Sequence, residues 1–268
     1  MNQRRIIIGD IHGHYDGLMV LLEAIAPGKD DMVYFLGDLI DRGPKSSQVV
    51  SFVRNSPYQC IRGNHEQMMI QALSEETREE GIWQGWFYSG GWETVESYRD
   101  TNIMPYEDLE WMQSLPMYLD LGDVWLVHAG VNPKLSINKQ TSHDFCWIRQ
   151  EFHCIEKPYF PDKLIITGHT ITFTFENVEP GELVRGEGWL DIDTSAYHSR
   201  SGWLTGLDIT NNLVYQVNVN HDNKTRKMPL EELVKPYKFQ PRTVKQKRQE
   251  RLLTIKDSES KERLENAQ

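Results

Sequence analysis

The sequence predicts an α/β fold with a mainly parallel sheet. Short apolar runs alternate with helical patterns along the first 70 residues, and this alternation is typical of β-α-β units. The 268 residues are 39% hydrophobic and 25% charged, as expected for a globular protein with a sizeable core. No apolar run approaches the roughly 18–20 residues of a membrane span, so we do not expect an integral membrane protein or a membrane partner.

The elements of the first part follow one another closely. The run Arg5–Ile8 ends at Gly9 and predicts a buried strand, and Leu18–Ile25 places leucines at the i, i+3, i+4, i+7 spacing of an amphipathic helix. The same alternation then repeats twice, with strands predicted at 32–36 and 58–61 and helices at 49–53 and 68–73.

Residues 74–118 break this alternation and predict a helical excursion rich in Glu and Trp. Its tryptophans form either the core of a helical layer, which we favour, or a recognition surface; they are Trp83, Trp86, Trp92 and Trp111. Strand patterns return at 124–127, 164–167, 189–192, 203–207 and 213–217. Between the last two strands, Thr210–Asn212 predicts a hairpin turn.

Charge divides the chain into two parts. The chain has 29 basic and 39 acidic residues and a net charge of −10; residues 221–268 hold 13 basic and 8 acidic residues, leaving 16 and 31 in residues 1–220. We therefore expect a globular domain at 1–220 and a basic, polar extension at 221–268 that is partly helical or disordered. The acidic domain argues against a nucleic-acid partner, because phosphate contacts need clustered Lys and Arg.

The start of the chain and the cysteines predict a location. Only three apolar residues, Ile6–Ile8, precede a charge near the start, whereas a secretory signal needs about 7–15, so no such signal is expected. Cys60, Cys146 and Cys154 are too few and too scattered for a disulfide framework. Reduced thiols and a cytoplasmic location are therefore expected.

Polar motifs follow the predicted strands directly. In chain order they are Gly9-Asp10-Ile11-His12-Gly13, Gly37-Asp38-Leu39-Ile40-Asp41-Arg42-Gly43, Arg62-Gly63-Asn64-His65-Glu66, Val127-His128-Ala129-Gly130 and Gly168-His169-Thr170. Ligands in α/β proteins sit beyond the carboxyl ends of the strands, so these motifs should converge at one sheet edge.

The residue types in these motifs indicate metal chemistry. Carboxylate, imidazole and amide oxygen donors suit divalent ions such as Mn²⁺, Fe²⁺ or Zn²⁺. There are too many candidate ligands for one ion, but enough for two if one carboxylate bridges them. Two ions roughly 3.5–4 Å apart favour an in-line displacement at phosphorus, and Arg42 and Arg62 could bind the phosphate oxygens.

At these motifs the sequence resembles the phosphoprotein phosphatase (calcineurin-like) metallophosphoesterase family. The resemblance covers about residues 4–217 and includes the segments Ser89–Thr94, Trp147–Phe152 and Ile192–Thr194. It is closest to the compact bacterial branch, which contains bacterial and phage serine/threonine protein phosphatases and symmetrical dinucleoside tetraphosphatases. It implies a catalytic domain at 1–220 with two mixed β-sheets packed as a sandwich, helices on the outside and a dinuclear metal site at the carboxyl ends of the strands.

The resemblance also implies residue roles. The implied metal ligands are Asp10 and His12 for the first ion, Asp38 as the bridge, and Asn64, His128 and His169 for the second ion. His65 would protonate the leaving group and Asp41 would orient His65. Arg42 and Arg62 would bind phosphate, with Arg149 as a third contact or else a structural ion pair. A metal-bridging hydroxide would attack phosphorus, with Mn²⁺ the expected ion and Fe²⁺, Fe³⁺ or Zn²⁺ left open.

The substrate class stays open at this level. A phosphomonoesterase acting on phosphoserine or phosphothreonine in proteins is favoured, because the acidic domain would attract basic phosphopeptides and repel a nucleotide. The alternative is a diadenosine tetraphosphate hydrolase, in which Trp83–Trp92 could hold adenine. A non-catalytic scaffold on the same fold would have lost His65 or a metal ligand, and every one of these is present.

Overall fold

The computed structural model describes residues 3–74, 80–99 and 105–239. The strands are β1 (Arg5–Ile8), β2 (Met32–Phe35), β3 (Gln59–Cys60), β4 (Tyr118–Asp120), β5 (Val124–Val127), β6 (Leu164–Thr167), β7 (Leu183–Gly186), β8 (Trp189–Asp191), β9 (Trp203–Asp208), β10 (Leu213–Asn218), β11 (Lys224–Pro229) and β12 (Val234–Pro236). The helices are α1 (Tyr15–Ile25), α2 (Ser46–Asn55), α3 (Asn64–Leu73), α4 (Glu80–Trp86), α5 (Trp92–Arg99), α6 (Pro105–Ser114), α7 (Ser142–Trp147), α8 (Gln150–His153) and α9 (Leu230–Leu233). A π-type turn, Phe87–Gly91, joins α4 to α5, and short 3₁₀ turns lie at Ile137–Lys139 and Thr172–Thr174.

Within the described ranges the strands form two mixed sheets of six strands each. The order is β11-β10-β9-β1-β2-β3 in the first sheet and β12-β7-β8-β6-β5-β4 in the second. The α/β class and the two mixed sheets are thereby confirmed. The expectation of a mainly parallel sheet, which came from the local alternation, is wrong. β9 runs antiparallel to β1, and β10 runs antiparallel to β9.

Alternate residues of the central strands face different layers. Ile7 and Leu126 are fully buried between the two sheets. Ile6 and Ile8 point the other way, into a core shared with α1 and α2, and Trp125 faces a third core shared with α7 and α8. Because side chains alternate along a strand with a period of two, each central strand is buried on both faces. The sheets therefore pack face to face, with helices outside them.

The tryptophans of the helical excursion divide into two pairs. Trp86 is 2% exposed and Trp111 packs against the first core. These two tryptophans belong to the core of the helical layer, which is the interpretation that the sequence favoured. Trp83 and Trp92 are instead 36% and 43% exposed, so they are surface residues. The parts of the excursion at 75–79 and 100–104 lie outside the described residues.

The strands continue past the boundary expected at residue 220. β11 pairs with β10 at one edge of the first sheet, and β12 pairs with β7 at one edge of the second. Exposed and half-buried residues alternate along β11, as on an edge strand with one solvated face. Because an edge strand of this kind is rich in polar residues, its composition predicts a polar extension and not a strand. The compact unit runs to Tyr237, and the expected extension beyond 239 lies outside the described residues.

None of the helices in the described part of the chain is long and apolar enough to cross a membrane. The three cysteines are free thiols, of which Cys60 and Cys146 are buried.

We predict that Leu233→Ala destabilises the protein although it lies beyond residue 220. Leu233 is 4% exposed and packs between the two sheets, so the truncation should lower the free energy of unfolding by about 2–5 kcal/mol. Urea unfolding followed by circular dichroism measures this change. The neighbouring exposed Glu232 supplies the matched control, and Glu232→Ala should stay within about 0.5 kcal/mol of the parent. Equal stability of both variants would contradict the placement of α9 in the core.

Candidate metal centre

The five polar motifs converge between the two sheets and not at the edge of one sheet, because β1, β2 and β3 belong to the first sheet and β5 and β6 to the second. Several of their residues have a backbone conformation that residues other than glycine rarely adopt. Positive φ angles occur at His12 (48°), Asp38 (48°), Asp41 (72°), Arg42 (68°) and His169 (68°). Such strain persists only where the surrounding structure enforces it, and it is concentrated at functional sites.

Asp38 lies at the centre of the cluster and is 2% exposed. Its Oδ2 atom is 3.6 Å from Nε2 of His12 and 3.9 Å from Nε2 of His65. Its Oδ1 atom is 3.3 Å from Nε2 of His128. Burial acts to raise the pKa of Asp38, but the nearby His128 and His65 hold it well below its ordinary value. The carboxylate is therefore ionised and faces histidines from both sheets.

Two groups of potential metal-binding atoms share this carboxylate. One contains His12, Asp38 and His65, and the other contains Asp38, His128 and His169; within each group the atoms lie within 4.8 Å of one another. Asn64 adds a further donor, because its Oδ1 atom is 2.9 Å from Nε2 of His128 and 2.8 Å from Nδ1 of His169. The shared carboxylate is the arrangement that two neighbouring cations need.

The imidazoles are prepared to bind a cation. Nδ1 of His12 donates to the carbonyl of Ile40 at 2.9 Å, and Nδ1 of His128 donates to that of Leu36 at 2.7 Å. A carbonyl oxygen only accepts, so these bonds leave the lone pair of each neutral ring on Nε2, the atom directed at Asp38. Nε2 of His169 is buried and has no hydrogen-bond partner among the described residues. A divalent cation fits this set of acceptors.

The pKa values of two of these histidines shift in opposite directions. Burial, with the neighbouring His65 and Arg42, lowers the pKa of His12 well below its ordinary value. Burial would also lower the pKa of His128, but the charge of Asp38 outweighs it and raises that pKa. A positive charge beside Asp38 is therefore favourable, and either a proton or a metal ion can supply it.

Asp10 reaches the cluster but belongs to neither of the two groups. Its Oδ2 atom accepts a hydrogen bond from the backbone N–H of His169 at 3.1 Å. The approach is so close that a Cβ atom on Gly168 would lie 2.0 Å from Oδ1 of Asp10, so this position requires glycine. Burial and the charges of Asp193 and Asp38 raise the pKa of Asp10 well above its usual range. Asp10 therefore borders the cluster, with its carboxylate turned toward the backbone of His169.

His65 is hydrogen-bonded to the carboxylate of Asp41, which in turn accepts hydrogen bonds from the helical excursion. Nδ1 of His65 is 2.6 Å from Oδ2 of Asp41, which is completely buried. The Thr94 hydroxyl donates to Oδ1 of Asp41 at 2.6 Å, and the Trp86 indole N–H donates to Oδ2 at 3.0 Å. Sequence reasoning assigned Asp41 to His65 but missed these donors, because both come from the segment that interrupts the β-α alternation.

Glu66 fixes the loop that carries Asp38 and the loop that leads into α3, on which His65 lies. Its fully buried carboxylate accepts from the backbone N–H groups of Asp38 (2.9 Å), Leu39 (2.8 Å) and Gly63 (2.8 Å). A carboxylate that accepts several backbone bonds satisfies donors that would otherwise be buried without partners. Glu66 therefore positions the loops after β2 and β3 relative to each other.

The three predicted phosphate-binding arginines have different surroundings. Arg42 enters the cleft, where its guanidinium lies 4.1 Å above the ring of Tyr197 and donates to Nε2 of His12 at 3.0 Å. Arg149 also lines the cleft and donates to the carbonyl of His169 at 3.0 Å. Arg62 is not brought there: it donates to the carbonyls of Met112, Gln113 and Leu115. The free carbonyls at the end of α6 attract this cation, which explains its placement.

Sequence reasoning also missed polar residues around the cleft. Tyr197 touches both Arg42 and His12, with its ring centroid 4.9 Å from that of His12. Asp191 and Asp193 are buried behind Asp10; burial raises the pKa of Asp193 to about 6. The resemblance did single out Ile192–Thr194, but one sequence carries no signal that these carboxylates lie beside Asp10, since about 180 residues separate them.

The two packed mixed sheets and the carboxylate-histidine cluster at their strand ends define the class of a metal-dependent phosphoesterase, and thus a hydrolase. Residues 4–219 match the family model described as calcineurin-like phosphoesterase. The chain therefore belongs to the calcineurin-like phosphoesterase family.

Relatives of two kinds share this family. The chain is 43% identical over 67 residues to serine/threonine-protein phosphatase 1 of Salmonella typhimurium, covering 25% of this chain and 31% of that protein. It is 24% identical over 176 residues to the symmetrical bis(5'-nucleosyl)-tetraphosphatase of Vibrio vulnificus, covering 59% of this chain and 60% of that protein. The chain thus spans less than two thirds of either relative.

A solved structure shows the same fold. The metallophosphoesterase from Sphaerobacter thermophilus matches with a TM-score of 0.50 and 18% identity, covering 85% of this chain and 87% of that one. At this identity the match supports the fold and says nothing about the substrate.

We predict that Thr94→Val weakens both the fold and the support of His65. The change removes a buried hydroxyl donor from Asp41, so the free energy of unfolding should fall by about 1–3 kcal/mol. Thr94→Ser keeps the hydroxyl and should retain most of this stability. Urea unfolding of the two variants measures the difference, and a serine variant as unstable as the valine variant would show that packing, rather than the bond to Asp41, is responsible.

Proposed function

We propose that the chain is a serine/threonine protein phosphatase that hydrolyses phosphomonoesters. The composition of the cleft carries this proposal. Its described lining consists of Asp38, Arg42, Asn64, His65, Arg149, His169, Ile171, Thr174 and Tyr197. Two arginines thus accompany His65 and the candidate metal ligands in one open cleft.

The cleft suits a phosphate ester better than a nucleoside. Tyr197 is the single aromatic ring among its described lining residues other than the histidines, and Arg42 already covers one face of that ring at 4.1 Å. A purine is usually held by stacking on an open ring face. The net charge of −15 on residues 1–220 adds a preference for basic phosphopeptides over polyanionic nucleotides.

The chain's own residues can perform most of the reaction. We assign Asp10, His12 and Asp38 to one ion and Asp38, Asn64, His128 and His169 to the other. Two divalent ions, when bound, supply positive charge that polarises the phosphoryl group and activates water. Mn²⁺ suits this set of nitrogen and oxygen ligands, and Fe²⁺ or Zn²⁺ would also fit it.

Arg42 and Arg149 would hold the phosphoryl oxygens by charge-assisted hydrogen bonds. Water attacks phosphorus from one side as the bond from phosphorus to the seryl or threonyl oxygen breaks on the other. Protonated His65 donates the Nε2 proton to that leaving oxygen, and Asp41 keeps its Nδ1–H oriented. The attacking water keeps one proton on the phosphate that forms and releases the other to solvent, and solvent returns a proton to His65. The products are inorganic phosphate and the free hydroxyl side chain.

Hydrolysis of a dinucleoside tetraphosphate is the second candidate. The longer alignment with the Vibrio vulnificus tetraphosphatase, 176 residues against 67 for the Salmonella typhimurium phosphatase, favours it. Both reactions need the same metal ligands and the same acid, so only the substrate distinguishes them.

Substrate turnover by the Mn²⁺-loaded protein tests this proposal. We expect kcat/KM for a basic phosphoserine peptide to exceed that for diadenosine tetraphosphate. Turnover of the dinucleotide without turnover of phosphopeptides or para-nitrophenyl phosphate would transfer the assignment to the second candidate. No turnover of any of the three substrates would contradict both.

His65→Asn should lower kcat by about 10²–10⁴ while the bound metal content stays the same. The loss should be larger for an alkyl phosphate than for para-nitrophenyl phosphate, because a nitrophenolate leaves without a proton. Turnover and elemental analysis of the same samples measure both effects. Metal lost together with activity would identify His65 as a ligand, the role that its 3.9 Å distance from Asp38 also permits.

A further inference from the structure

The helical excursion exposes a cluster of aromatic side chains. Trp83, Tyr88 and Trp92 are 36%, 83% and 43% exposed, and Phe87 lies half-buried between them. We call these four residues the rim patch. Single exposed aromatic residues are common on protein surfaces, whereas a contiguous group of them marks a site of interaction.

The rings of the rim patch hold one another in place. Phe87 stacks on Trp83 with ring centroids 4.5 Å apart, and it meets Trp92 and Tyr88 edge to face at 5.3 Å and 5.6 Å. Arg99 lies 5.3 Å above the ring of Trp92. The patch is therefore formed before any partner arrives, which lowers the entropy cost of binding.

The rim patch borders the catalytic cleft. Gly90, with a φ angle of 113°, lies between Tyr88 and Trp92 in sequence, and its carbonyl accepts from the backbone N–H of Arg42 at 3.0 Å. A Cβ atom on Gly90 would lie 2.6 Å from Cγ of Arg42, so the two segments are in direct contact. A two-residue step spans at most about 7 Å, which keeps the backbone of Tyr88 and Trp92 close to Arg42.

The ring geometry does not suit a purine. Trp83 and Phe87 cover one face of each other, and Arg99 covers a face of Trp92. Phe87 and Tyr88 are nearly perpendicular at 88°, so they form no parallel slot for a base. What the patch offers is apolar ring edges and the open ring of Tyr88, a surface that an aliphatic or aromatic side chain can cover.

We propose that the rim patch binds an apolar side chain flanking the phosphorylated residue of a protein substrate. The phosphoryl group would lie against Arg42 while the neighbouring apolar residue covers Tyr88 and Trp92. Glu93 follows the patch in the first turn of α5, and the acidic domain around it favours a substrate segment that is also basic. Because it needs a phosphoprotein substrate, this role rests on the proposed function.

Two phosphoserine peptides of equal length and equal positive charge test this role. One carries leucine and phenylalanine beside the phosphoserine, and the other carries serines there. The Mn²⁺-loaded protein should prefer the apolar peptide by about tenfold in kcat/KM, since central aromatic contacts often contribute a factor of that order. Tyr88→Ser and Trp92→Ser should each reduce this preference severalfold. Tyr106 on α6 is 59% exposed and lies outside the rim patch, so Tyr106→Ser should leave the preference unchanged.

Each outcome of this experiment has a definite meaning. Equal hydrolysis of both peptides, or a preference that survives both substitutions in the rim patch, would overturn the docking role and leave the phosphatase assignment intact. Failure to hydrolyse either peptide would overturn the docking role together with the proposed function. Turnover of diadenosine tetraphosphate that falls in Tyr88→Ser would assign the patch to a base instead, which also overturns the proposal.

Discussion

The buried carboxylate of Asp38 is the constraint on which the surrounding loops depend. Removing an ionised carboxylate from water costs several kcal/mol, and the interior must offset this cost with opposite charge and hydrogen bonds. Histidines from both sheets approach Asp38, and the backbone N–H of His65 donates to its Oδ1 atom at 3.0 Å. The two sheets pack face to face through the apolar residues between them, and the charge of Asp38 adds the requirement that their strand ends meet at the same point.

The helical excursion has two separate roles in this arrangement. Its inner side supplies Trp86 and Thr94, which hold Asp41 against His65. Its outer side supplies the rim patch beside Arg42. A single insertion between β3 and β4 thus supports His65, the proposed acid, and also provides a surface next to Arg42, the proposed phosphate contact. Substitutions on its two sides should affect different steps, turnover on the inner side and substrate preference on the outer.

The sequence could predict the parts of the candidate site in which a short, local pattern determines the structure. The polar motifs at the ends of β1, β2, β3, β5 and β6 could be identified because each glycine-bounded loop follows an apolar run. Asp38, His128 and His169 are accordingly brought together in the structure. The strand β11 could not be predicted, because an edge strand with one solvated face has the composition of a tail. Local pattern also cannot give strand direction, which depends on the pairing of β1 with β9 across the chain.

The directions of individual side chains also could not be predicted from the sequence. Arg62 lies within a motif, yet its guanidinium turns toward the carbonyls at the end of α6, about 50 residues later in the chain. Tyr197 carries no motif, yet it supports Arg42 at the cleft. Both placements follow from contacts between distant segments, which a single sequence does not reveal.

The position of bound metal tests the central claim most directly. Crystals of the protein grown with Mn²⁺ can be measured by anomalous diffraction at the manganese absorption edge. We expect two peaks about 3.5–4 Å apart, with the carboxylate of Asp38 between them and His128 and His169 beside one of the two. A single peak, or two peaks that Asp38 does not join, would contradict the account of Asp38 as the shared ligand of a dinuclear site.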